Sequence, residues 1–168
     1  MELKIGIITV SDRSSRGERP DQSGPELTSA VRDQGWLPLK VRIVPDDLER
    51  IKETLIDWCD QENLDVILTT GGTGFSPRDV TPEATREVID RQAPGLAEAM
   101  RAASLKITPH AMLSRAVVGI RKRTLIINFP GSPQAAKENF QVVAPVLPHA
   151  AELLREEESA ESSHRKLQ

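Results

Sequence analysis

Apolar residues fall on both parities from Lys4 to Val10, the pattern of a strand buried on both faces, as in a parallel sheet covered by helices. Residues 11–24 turn polar and carry Gly17, Pro20, Asp21, Ser23 and Gly24, a long connection of the kind that holds functional groups. Pro25 opens a predicted helix with Leu27, Ala30 and Val31 on one face and Gly35 as its stop. Leu37 to Val44 reads as the next strand and Pro45-Asp46-Asp47 as a capping turn. Leu48, Ile51, Leu55 and Cys59 then form the apolar stripe of the helix that follows. A third buried strand is predicted at 64–70, then a glycine-rich loop at 71–79, then helices headed by Thr81-Pro82-Glu83 and Pro94-Gly95. Residues 115–120 and 124–129 read as an antiparallel hairpin across the basic turn Arg121-Lys122-Arg123. The last helical region starts at residues 130–133, runs to Leu154, and is kinked or split by Pro145 and Pro148.

The strand–helix alternation predicts an α/β fold. With 168 residues, one domain over 1–155 is expected, followed by a charged, serine-rich tail at 156–168. Lys and Arg total 22 against 25 Asp and Glu, for a net charge of -3, so no diffuse positive field is available to hold a nucleic acid. Three Phe, two Trp and no Tyr leave few surfaces for stacking bases. Cys59 is the sole cysteine, which excludes an intrachain disulfide and a cysteine-based zinc site and suits a reducing compartment such as the cytoplasm. The apolar start is much shorter than the ~20 residues of a membrane helix and contains Glu2 and Lys4, so it reads as a core strand and not as a signal peptide or membrane span.

Open α/β sheets bind ligands beyond the carboxyl ends of their strands. Three such ends carry small or polar residues: Ser11-Asp12 with Asp21 and Ser23-Gly24-Pro25 downstream, then residues 69–74, then residues 128–133. Gly71, Gly72 and Gly74 let the backbone bring its amides close to phosphate oxygens, and Thr73 adds a hydroxyl. The spacing is neither that of a Walker loop nor that of a dinucleotide fingerprint, and a ligand-free strand-to-helix turn has the same composition. Arg78 can neutralise phosphate. Asp79 can hold magnesium shared with phosphates or accept a hydrogen bond, while Asp79 or Thr81 can equally cap the next helix. Gly131-Ser132-Pro133 fits an anion site at a helix start or a plain N-cap. Asp46, just past the second strand, has the same two readings. His110, His149 and His164 are scattered, no G-x-S-x-G elbow is present, and Cys59 sits on an apolar stripe, so zinc, triad and thiol chemistry find no support.

Ser11-Asp12 with Asp21 and Ser23-Gly24-Pro25, TTGGTGFSPRDVT at 69–81 and PGSP at 130–133 together resemble the Mog/MoaB family of molybdenum-cofactor biosynthesis proteins, over residues 4–154. The resemblance implies a three-layer α/β/α domain, with a mostly parallel sheet containing one antiparallel hairpin strand, assembled as a homotrimer. It also implies molybdopterin adenylyltransferase activity, in which AMP passes from ATP, with Mg2+, to the terminal phosphate of molybdopterin and pyrophosphate leaves. The family's two functional aspartates correspond to Asp46 and Asp79, the candidate catalytic and magnesium-holding groups, and its phosphate loop to Gly71, Gly72, Thr73 and Gly74. Ser11, Asp12, Arg78, Thr81, Gly131 and Ser132 complete the expected binding set. A nucleotide pyrophosphatase of the same superfamily and a noncatalytic pterin carrier are the alternatives. Other enzymes of cofactor biosynthesis are conceivable partners; nucleic acid and membrane are not.

Overall fold

Ile5, Ile7 and Ile8 are fully buried in β1 (Lys4–Val10), because helices cover both faces of the strand. The computed structural model describes residues 1–155. Strand β1 pairs in parallel with β2 (Leu37–Val44) on one side and β3 (Val66–Thr70) on the other, and β3 pairs in parallel with β6 (Thr124–Phe129). Next to β6 lies β5 (Val118–Arg121), antiparallel to it, and the two-residue β4 (Arg91–Gln92) closes the far edge against β5. The order is therefore β2-β1-β3-β6-β5-β4, with β5 the one strand that runs against the rest, as the resemblance implies.

The helices divide between two faces. On one, α2 (Ser23–Asp33), α5 (Pro94–Leu105), α6 (Pro133–Val143) and α7 (Leu147–Leu154) bury Leu27, Met100, Phe140 and Leu147 against Ile5, Ile7 and Phe129. On the other, α3 (Leu48–Gln61) and α4 (Thr81–Val88) bury Ile51, Leu55, Trp58 and Val88 against Ile8, Val10 and Ile67. Gly6 is required beneath α3: a Cβ there would lie 2.7 Å from the Trp58 ring. Chain direction reverses its winding between β1 and β3, and such a switch point opens a crevice at the carboxyl ends of the strands.

Several local details differ from the sequence reading. The polar stretch contains a short helical turn, α1 (Asp12–Ser15), capped by the Ser11 side chain, which accepts from the Ser14 amide. Helix α2 starts at Ser23, two residues before Pro25, because the Asp21 carboxylate accepts from both the Gly24 amide and the Thr9 hydroxyl and draws that start onto β1. The first hairpin strand begins at Val118, since residues 114–117 are drawn instead into loop contacts described below. Pro145 and Pro148 do split the last region, with a 3-10 turn (Ala144–Val146) between α6 and α7. The tail at 156–168 lies outside the described residues. No helix among the described residues is long and apolar enough to cross a membrane.

Candidate functional site

Val10, Gly71 and Gly131 bring the tips of β1, β3 and β6 into contact. Gly71 has φ +100° and lies so close to β1 that a Cβ would stand 2.3 Å from the Val10 carbonyl oxygen. A Cβ on Gly131 would come within 3.3 Å of the Gly71 Cα. The Gly71 amide donates to the Phe129 carbonyl (3.1 Å), and the Thr70 hydroxyl to that of Pro130 (2.7 Å), which locks the two later tips together. Gly72 also has positive φ, +68°, and its Cβ position is filled by the Thr81 hydroxyl at 2.4 Å and Asp46 Oδ1 at 3.2 Å. Only glycine meets both the dihedral and the space. Among the described residues, the amides of Gly72, Thr73, Gly131 and Ser132 have no protein acceptor, so four donors remain for a ligand.

The loop that follows is held from inside and outside. Asp79 Oδ2 accepts from the amides of Gly74 and Ser76, both at 3.1 Å, and the Asp79 amide donates back to the Ser76 carbonyl. Arg115 clamps the outside: Nε donates to the Gly74 carbonyl (2.8 Å), Nη2 to that of Asp79 (2.8 Å), and Nη1 pairs with Glu83. Burial works most strongly against the charge on Glu83, but the Arg115 guanidinium, the Glu83 backbone amide and Arg86 together outweigh it and hold that carboxyl below its ordinary range. Thr81 does not cap α4; its hydroxyl donates to the Gly71 carbonyl (2.9 Å) and its amide to that of Gly72 (3.1 Å). Asp47 takes the capping role ahead of α3, accepting from the Arg50 amide, which leaves Asp46 free to face the crevice.

Asp46 and Asp12 bind each other's backbone: the Asp12 amide donates to Asp46 Oδ2 (2.9 Å) and the Asp46 amide to Asp12 Oδ1 (3.0 Å). Arg78 grips Asp12 Oδ2 with Nε and Nη2 at 3.0 and 2.8 Å. Burial opposes the charge on Asp12, yet the hydrogen bonds from Arg78 and Asp46 outweigh it and lower its pKa. Asp46 moves the other way. Burial first, then the charges of Asp12 and Asp79, raise its pKa, a strain that a cation would relieve.

Two lobes open from this centre, each within the size range of ligand sites. The polar lobe, of about 490 Å³, is lined by Ser11, Arg19, Asp21, Asp46, Gly71 and Ser132, among others. The second, of about 460 Å³, has apolar walls from Ala97, Met100, Leu113 and Ala116, with Ser104, Ser114 and Asn139 set among them. Gly72, Asp79 and Gly131 line both, so the lobes meet there, while Thr73 and Gly74 line the apolar lobe alone. Asp12, Arg78 and Thr81 line neither and act from behind the wall. Ser132 lines the polar lobe while its hydroxyl caps α6, accepting from the Ala135 amide.

The apolar lobe is what sequence reading missed. Its walls come from α5, α6 and the 3-10 turn Pro109–Leu113, and the residues of α5 facing it have the same spacing as an ordinary core stripe. Arg101 Nη1 donates to the carbonyls of Ser114 (3.3 Å) and Ala116 (3.1 Å), which fixes that wall. Asn128, fully buried, forms the floor by accepting from the Val117 amide and donating to the hydroxyls of Thr69 and Thr85. Among the described residues, no three His, Cys, Asp or Glu converge as a metal cage. Asp46 and Asp79, which line the polar lobe, are carboxylates there that could contribute to holding a metal ion together with a ligand's own oxygens.

The family profile described as a probable molybdopterin binding domain matches residues 6–149. The chain is 46% identical over 149 residues to the molybdopterin adenylyltransferase of Haemophilus influenzae, covering 84% of this chain and 73% of that protein. It is 44% identical over 176 residues to gephyrin of Dictyostelium discoideum, covering 98% of this chain but only 24% of gephyrin, so it spans about a quarter of that longer relative. Among solved structures, the molybdopterin biosynthesis enzyme MoaB of Thermus thermophilus superposes with a TM-score of 0.86 at 51% identity, over 90% of this chain and 96% of that one.

Proposed function

Because the chain belongs to the molybdopterin-binding domain family, we propose that it is a molybdopterin adenylyltransferase, moving AMP from ATP onto the terminal phosphate of molybdopterin with release of pyrophosphate. The observation that carries this reading is the meeting of a polar and an apolar lobe at Gly72, Asp79 and Gly131. The apolar lobe suits a flat heterocycle, with Ser104, Ser114 and Asn139 able to read its polar edge, and the polar lobe suits a nucleotide.

Nucleotidyl transfer is an in-line displacement, so the protein's task is to hold two anions in contact and neutralise their repulsion. No protein nucleophile is needed, since an oxygen of the pterin phosphate attacks. The amides of Gly72, Thr73, Gly131 and Ser132 would bind phosphate oxygens at the junction. Asp46 and Asp79 would hold a magnesium ion, which withdraws charge from the reacting phosphates. Asp12, clamped by Arg78, orients Asp46, and Arg115 orients Asp79. Ser11, lining the polar lobe, serves the nucleotide.

The same reading includes a homotrimer and a cytoplasmic setting in which ATP is at hand. Support for assembly comes from edge strand β2, where Val41 and Ile43 are 52% and 39% exposed beside Pro25 and Thr28 of α2. Pyrophosphate release in a mixture of protein, ATP, magnesium and molybdopterin tests the activity. Release that requires the pterin is the expected result. Hydrolysis of ATP or ADP-ribose without it would make the protein a pyrophosphatase, and pterin binding with neither product would make it a carrier.

A further inference from the structure

Three carboxylates, Asp21, Asp46 and Asp79, line the lobe assigned above to the most highly charged substrate, ATP. Asp21 accepts hydrogen bonds from the Thr9 hydroxyl and the Gly24 amide, but these uncharged donors leave its negative charge facing a triphosphate. Arg78, the basic residue of the glycine loop, gives its Nε and Nη2 to a single oxygen of Asp12, Oδ2, and lines neither lobe. Among the described residues, Arg19 is the one basic side chain that lines the polar lobe, and it has no ion-pair or hydrogen-bond partner of its own. It stands on the connection between α1 and α2, on the wall built by Ser14, Arg19 and Asp21.

Geometry decides which phosphates such a group can reach. On the proposed function the pterin phosphate comes from the apolar lobe, which places the α-phosphorus where the lobes meet, at Gly72, Asp79 and Gly131. The attacking oxygen forms the new P–O bond there as the bond from the α-phosphorus to the bridging oxygen breaks. The electron pair of that bond leaves with pyrophosphate. In-line geometry sends the leaving group away from the attacking side, into the polar lobe. A guanidinium in that lobe matches two phosphate oxygens with its planar fork and stabilises charge as it develops on the departing oxygen.

We propose that Arg19 binds the β- and γ-phosphates of ATP and the pyrophosphate formed from them, a subsite separate from the amide cradle at the α-phosphate. This rests on the adenylyl-transfer reading, and the experiment separates the two. Calorimetric titrations of wild type, Arg19→Ala and Arg19→Lys would be made with AMP, ATP and pyrophosphate, each with magnesium. Removing a charge-assisted phosphate contact should weaken ATP and pyrophosphate roughly tenfold in Arg19→Ala and leave AMP within about twofold, with Arg19→Lys between. Equal ATP affinity in wild type and Arg19→Ala, or an equal fall for ATP and AMP, overturns the proposal while leaving the nucleotide site intact. Failure of wild type to bind any of the three overturns the nucleotide assignment itself, and the subsite with it. Arg19 is exposed and joins no core contact, so the variants are expected to fold like the wild type, which a thermal melt checks.

Discussion

Asp79 carries two jobs that a single substitution can separate. Its Oδ2 organises the loop through the Gly74 and Ser76 amides, a task any carbonyl-type oxygen can perform, whereas under the proposed function its charge would serve the metal and the reacting phosphates. Asp79→Asn should therefore keep a melting temperature close to wild type and lose roughly a hundredfold or more in pyrophosphate release. Asp79→Ala should lose both the activity and part of the loop's protection from proteolysis. Asp46 makes a pH prediction. Its carboxyl holds a proton more tightly folded than unfolded, so its stabilising contribution is complete below the ordinary carboxylate pKa and is lost as pH rises through the raised value. Asp46→Asn escapes that loss. In urea unfolding the variant should gain on wild type by under about 1 kcal/mol between acid and neutral pH, while adenylyl transfer falls. An advantage that is instead largest in acid would contradict the assigned burial and charge crowding.

At the scale of elements, the loop between β3 and α4 depends on backbone room and on Arg115. Gly71→Ala combines φ +100° with a contact of 2.3 Å to a backbone oxygen that cannot move away, so a loss above about 2 kcal/mol is expected. Gly17→Ala has φ +72° but open space around its Cβ, so it should cost only about 1 kcal/mol. Comparing the two by urea unfolding isolates the steric part. Arg115→Ala leaves the Gly74 and Asp79 carbonyls and Glu83 without their donor, for an expected loss of roughly 1–3 kcal/mol and weaker magnesium dependence of turnover. The helices and strands that frame this loop were legible in the sequence because burial imprints a period on each of them. β4 was not, since two exposed residues leave no period to read. Nor was the start of α2, which depends on Asp21 meeting Thr9, twelve residues away.

For the whole molecule, the exposed apolar residues Val41 and Ile43 on β2 make the edge of the sheet the place to test the proposed homotrimer. If that edge is the subunit contact, Val41→Lys should shift the species seen in sedimentation velocity from trimer to monomer without changing the circular dichroism spectrum. A wild-type monomer would refute the assembly and leave the crevice untouched, because every residue assigned to it lies within one chain.

The strand–helix alternation, the buried strands and the small and acidic residues at the strands' carboxyl ends are readable from the order of residues alone, because burial and turn geometry act over a few neighbouring residues. The sequence singled out Asp46, Asp79 and the glycine loop while leaving capping as an equal use for both carboxylates. Tertiary structure decided between those uses, by giving the α3 cap to Asp47 and the interior of the loop to Asp79. It also decided that Arg78 serves Asp12 across 66 positions of chain, that Arg115 clamps a loop 41 positions before it, and that α5 and α6 enclose an apolar lobe. Such contacts are set by how the elements pack, and packing between distant segments leaves no period in the local order of residues.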